Sequence, residues 1–138
     1  MTVVYVIGVF DLFHAGHVEL LRRARESGDK LIVAVNGDKM VEKYKRKPFM
    51  SEKDRLKVIR ACRYVDDAFI IRTFDNRKRI LQHRVNLIVH GNDWTGDSYL
   101  QQIRLTPRFI AKHQIRLVYL PYTKGISTSS LVEKIKRG

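Results

Sequence analysis

The chain has 138 residues, 44% of them hydrophobic, and a formal net charge of +13 from 27 Lys and Arg against 14 Asp and Glu. That length suits one domain, residues 1–138, with a sizeable core, and no apolar run approaches the roughly 20 residues of a membrane span. The N-terminus lacks the basic region and cleavage site of a signal peptide, and the single cysteine, Cys62, excludes an internal disulfide, so a cytoplasmic protein is expected.

Val3–Ile7 is an apolar run that reads as a buried parallel strand. Val18–Glu26 follows, with Leu20, Leu21 and Ala24 at helical spacing. Leu31–Val35 predicts a second strand, and Glu52–Cys62 a helix with Leu56, Ile59 and Cys62 on its apolar face. Ser51 is a plausible N-cap of that helix. Ala68–Ile71, Leu87–Val89 and Leu117–Leu120 predict three more strands. Weaker helical patterns run over Arg77–His83 and Tyr99–His113, and a last one over Thr128–Lys136.

The alternation predicts an α/β fold: a Rossmann-like parallel sheet of about five strands, order 3-2-1-4-5, with helices on both faces. Ligands in such sheets bind at the strands' carboxyl ends, beside the point where strand order reverses. The turns after strands one and four, Gly8–His17 and Gly91–Trp94, therefore meet in one crevice.

The first turn carries two histidines, His14 and His17, three residues apart on a strand-to-helix connection. Side chains at that spacing share one face of a helix, and a helix N-terminus favours an anion. Gly16 lets a phosphate approach the backbone. The same pair reads more blandly as capping or surface histidines, or as metal ligands lacking partners at a suitable spacing. Asp11 reads as an Asx-turn residue, or as a contact to magnesium or a substrate hydroxyl. Lys43–Pro48 is a basic cluster that as a solvated loop needs no further explanation. The net charge implies polyanionic company, and residues 98–132 contain no Asp or Glu.

Gly8–His17 resembles the HxGH signature of the nucleotidyltransferase superfamily. Arg63–Asp67 is similar to the RYVDE element of its cytidylyltransferase family, Gly91–Trp94 to the GDDW element of the glycerol-3-phosphate branch, and Gly125–Ser129 to the GIST(S/T) signature. The resemblance spans nearly the whole chain and implies transfer of CMP from CTP to an alcohol phosphate, glycerol 3-phosphate first among them, with release of pyrophosphate. It assigns phosphate contact and transition-state stabilisation to His14 and His17, and a closing cation to Lys45 and Arg46. Against the glycerol-3-phosphate branch the family lysines align with Tyr44 and Arg46; against the choline-phosphate branch, with Lys45.

Nucleotide contacts are implied for Gly8, Val9, Phe10, Gly16, Asp93, Gly125, Ile126, Ser127, Thr128 and Ser129. Acceptor contacts are implied for Asp11, Arg55, Arg63 and Trp94, although Trp94 reads equally well as core packing. Three departures stand out: Val9 for a family Thr, Asn92 for an Asp, and Tyr122 for an Arg whose charge Lys124 would replace. Magnesium is implied as an ion held mostly by substrate, with no all-protein metal site. The resemblance also implies a homodimer. The surplus charge is compatible with contact to an anionic membrane surface, and no specific nucleic acid is expected. An adenylyltransferase for a sugar phosphate or flavin-type phosphate is the nearest rival; a basic nucleic-acid-binding module is the more distant one. A class I aminoacyl-tRNA synthetase fragment would need a longer chain.

Overall fold

The apolar runs become the strands of one parallel sheet. In the computed structural model, which describes residues 1–91, 100–121 and 126–138, these are β1 (Val3–Gly8), β2 (Lys30–Asn36), β3 (Asp67–Ile71), β4 (Leu87–Gly91) and β5 (Arg116–Leu120). The order is β3-β2-β1-β4-β5, as expected, and every pairing is parallel. β1 therefore lies between β2 and β4, and the chain leaves it in opposite directions across the sheet.

Alternate side chains of β1 feed two cores, as the twofold period of a strand dictates. Val4 and Val6 face Leu21 and Ala24 of α1 (Ala15–Glu26) and Ile59 of α3 (Glu52–Ala61). Val3, Tyr5 and Ile7 face Met40 of α2 (Asp38–Glu42), Ile80 of α4 (Arg77–Gln82), and Leu100, Ile103 and Ile115. Leu21, Leu31, Ile32, Ile59 and Ile88 are essentially inaccessible to solvent. Each such side chain contributes about 1.5–3 kcal/mol relative to leaving it in water.

Several elements differ from expectation. Helix α2 was not legible, because five residues carry too little periodicity to stand out. The expected helix over Tyr99–His113 is interrupted. A short helical segment at 100–102 ends in a turn with Arg104 at φ 61°, and α5 (Pro107–Lys112) starts afresh. Thr106 caps α5 by accepting from the Phe109 N–H, and Pro107 takes the first turn, where its missing donor costs nothing. The last helix, α6 (Thr128–Arg137), runs one residue beyond the expected Lys136.

Candidate active site

The Gly8–His17 connection is held by its own side chains. Phe10 and Leu12 both have left-handed backbones, φ 56° and 51°, a conformation that non-glycine residues hold only when their surroundings impose it. Phe10 folds its buried ring back over Gly8, where a Cβ would lie 2.7 Å from the ring. Asp11 is buried and holds the loop from the other side. Its Oδ2 accepts from the Phe49 N–H (2.8 Å) and from Arg46 (3.2 Å), and its Oδ1 accepts from the Met50 N–H (3.0 Å). Burial alone would raise the Asp11 pKa; these donors outweigh it and leave the carboxyl below its usual range. The structure thus gives Asp11 the loop-holding geometry and occupies both its oxygens.

His14 is the N-cap of α1. Its Nδ1 accepts from the Gly16 N–H at 3.0 Å, while its own N–H donates to His17 Nδ1 at 3.2 Å. Each imidazole has therefore committed Nδ1 as an acceptor, and in the neutral ring this places the proton on Nε2. The rings stack with centroids 3.9 Å apart, and Phe13 stacks on His17 at 5.4 Å. Burial lowers the pKa of His14. His17 is pushed down to about 3, chiefly by burial, then by repulsion from His14 and Lys45 against the opposing pull of Asp11. Both histidines are neutral N–H donors at physiological pH.

Gly16 makes room for side chains of the protein itself. A Cβ there would sit 2.8 Å from His14 Cε1 and 3.2 Å from Ile126 Cγ2. The absent side chain lets the His14 ring fold onto its own helix and lets Ile126 approach. Ile126 leads into Ser127, the N-cap of α6, whose hydroxyl accepts from the Ser130 N–H at 3.0 Å while the Ser130 hydroxyl accepts from the Ser127 N–H at 3.0 Å. Thr128 donates its hydroxyl to the Asp11 carbonyl at 3.0 Å. Two helix N-termini are thereby tied to the same loop.

They open on a cavity of about 370 Å³ at the carboxyl ends of β1, β2 and β4. Of the expected residues, Gly8, Val9, Phe10, Asp11, His17, Lys45, Arg46, Thr128 and Ser129 line it. His14 stands one ring behind, against His17. Arg46 is held in place: it pairs with Asp11 and stacks on Phe49 at 4.2 Å. Lys45 lies 6.0 Å from the Tyr44 ring centroid.

Arg55 and Arg63 fall elsewhere. Arg55 is wholly buried behind the cavity, donating to the carbonyls of Val9 (2.8 Å), Asn36 (2.7 Å) and Met50 (3.1 Å) and to the Asp38 carboxylate (2.6 Å). It ties the ends of β1 and β2 together and is not itself at the cavity wall. Arg63 is exposed beside Tyr64 and does not line the cavity. Asp93, Trp94 and Gly125, with Asn92, Tyr122 and Lys124, lie outside the described residues.

Sequence reasoning missed Asn36, Tyr44, His90 and Gln102 as cavity residues. The signal for Asn36 and His90 was present: both sit at the carboxyl ends of strands flanking β1, where the strand-order rule applies as well.

Residues 5–134 match the cytidylyltransferase-like family. The chain belongs to that family. It is 35% identical to glycerol-3-phosphate cytidylyltransferase of Bacillus subtilis (strain 168) over 137 residues, 98% of each chain. It is 39% identical over 137 residues to an FAD synthase of Pyrococcus horikoshii, covering 96% of this chain and 90% of that one. Among solved structures it resembles a lipopolysaccharide core biosynthesis protein from Thermoplasma volcanium, with a TM-score of 0.73 at 26% identity, over 90% of this chain and 99% of that chain. This cytidylyltransferase-family chain is a nucleotidyltransferase enzyme. Among the described residues, no helix is long and apolar enough to cross a membrane.

Proposed function

We propose that this family member transfers CMP from CTP to glycerol 3-phosphate, forming CDP-glycerol and pyrophosphate. The observation that carries the reading is His17: a cavity-lining imidazole, kept neutral, with Nδ1 committed to the His14 N–H and Nε2–H left to donate. A phosphate oxygen of the acceptor attacks the α-phosphorus, a new P–O bond forms, and the bond to the departing pyrophosphate breaks. The attacking oxygen is already ionised near neutral pH, so no protein base is needed. The task is alignment and stabilisation of charge building on the α-phosphate oxygens.

Neutral donors suit that task, because they lose no proton to the triphosphate. The amides of Thr128 and Ser129 at the start of α6 present a positive helix end to the β- and γ-phosphates, and Lys45 adds a cation to the same cavity lining. Asp11 has both oxygens engaged, so magnesium would be carried by triphosphate oxygens and water, where it would neutralise charge on the leaving group.

The full-length likeness to a glycerol-3-phosphate cytidylyltransferase supports this acceptor. The likeness to an FAD synthase supports a second reading, adenylyl transfer to a flavin phosphate. Pyrophosphate release across four nucleoside triphosphates and a set of phosphorylated acceptors separates them. CTP with glycerol 3-phosphate is expected to be fastest. Faster turnover with ATP and a flavin phosphate would replace this function with the second.

A further inference from the structure

We propose that Tyr44, oriented by Asn36, reads a hydroxyl group on the acceptor's carbon chain, so that the enzyme selects an uncharged, hydroxyl-bearing alcohol phosphate over one ending in an ammonium. This rests on the transfer reaction proposed above.

The cavity has two halves, one on each side of β1. His90 and Gly91 at the end of β4 line one side, and Thr128 and Ser129 of α6, expected at the nucleotide, line the same cavity. Asn36 at the end of β2, with Val41, Tyr44, Lys45 and Arg46, forms the other.

In that second half Asn36 is 8% exposed and donates its Nδ2–H to the Tyr44 hydroxyl at 2.8 Å. The phenol thus spends a lone pair on Asn36 and keeps its proton to give. The arrangement is braced. Arg55 holds the Asn36 carbonyl at 2.7 Å, and Phe74 meets the Tyr44 ring edge-on at 5.9 Å. Asn36 Oδ1 has no hydrogen-bond partner among the described residues, a buried acceptor that secondary structure does not explain. Oδ1 is covered, and Tyr44 lines the cavity.

Electrostatics set the class of acceptor. Lys45 and Arg46 line the same half, and the lining carboxylate among the described residues, Asp11, is taken up by Arg46 and two backbone N–H groups. Arg46 is paired with Asp11; Lys45 suits the acceptor's phosphate and repels a second positive charge at its other end. A hydroxyl accepts from Tyr44; an ammonium only donates and finds no unengaged carboxylate on these described walls.

The test compares glycerol 3-phosphate, propyl phosphate and phosphoethanolamine as acceptors with CTP, in the unaltered protein and in Tyr44→Phe. The unaltered protein is expected to prefer glycerol 3-phosphate. In Tyr44→Phe the ratio of kcat/KM for glycerol 3-phosphate to that for propyl phosphate should fall roughly three- to ten-fold, the scale of one neutral hydrogen bond. The change should appear in the acceptor KM rather than the CTP KM. Asn36→Ala, which leaves the phenol unoriented, should shift the ratio in the same direction. An equal loss with both acceptors, or a preference for phosphoethanolamine, overturns the proposal while leaving cytidylyl transfer intact. Absence of CTP turnover with every alcohol phosphate refutes both readings.

Discussion

His14 has two separable duties, and two substitutions pull them apart. The ring caps α1 through Nδ1 and leaves Nε2–H as a donor beside His17. His14→Ala removes both. Loss of an N-cap costs about 1 kcal/mol. At about 2.1 cal/mol/K per residue, unfolding 138 residues carries an entropy near 0.3 kcal/mol/K, so the melting temperature should fall by about 3 °C. Loss of an oxyanion-type donor should lower kcat by roughly 10²- to 10³-fold. His14→Asn keeps a side-chain oxygen able to accept from the Gly16 N–H, and asparagine is among the best N-caps. It should recover most of the melting temperature and almost none of the turnover. Thermal melts and pyrophosphate release with CTP and glycerol 3-phosphate measure both quantities. Near-normal kcat in His14→Asn would refute the donor role. Equal melting temperatures for His14→Ala and the unaltered protein would refute the cap.

His17 sets a pH dependence with a definite sign. Its folded pKa is pushed down to about 3 from an ordinary 6.5, so on acidification the unfolded chain takes up the proton first. Its contribution is complete above pH ~6.5 and is lost as pH falls toward ~3, by at most about 5 kcal/mol, and less where the ring can swing into solvent. Nitrogen NMR of labelled histidine should show a neutral, Nε2-protonated ring at pH 5; an imidazolium there would defeat the argument. Arg55→Ala should cost about 3–5 kcal/mol in urea unfolding, because it leaves the Val9, Asn36 and Met50 carbonyls and the Asp38 carboxylate without their buried donor. A loss under about 1 kcal/mol would show that solvent replaces the guanidinium.

The sequence by itself determined the sheet, its strand order and two helix starts, one after β1 and one at the Ser-Thr cluster before α6. Those depend on local signals: apolar runs of strand length, Gly8 and Gly16 in the first turn, and a Ser-Thr cluster opening α6. Strand order follows from them because right-handed crossovers and a twisted sheet leave few alternatives.

Tertiary structure decided what each side chain is used for. Arg55 in sequence is a helix cation like its neighbours; only the approach of β1, β2 and the Met50 carbonyl to one point buries it and consumes its donors. Asp11 becomes a loop anchor because residues 38 and 39 positions later in the chain return their amides to it. Gly16 makes room for the His14 ring and Ile126, a contact spanning most of the chain that no local pattern encodes. Asn36 and Tyr44 are eight residues apart with an unremarkable spacing, and their pairing depends on the short helix α2 turning the chain back over the end of β2. Local chemistry specifies elements, because propensity and burial act within a few residues. The partners of a polar side chain are set by where distant backbone donors and acceptors come to rest.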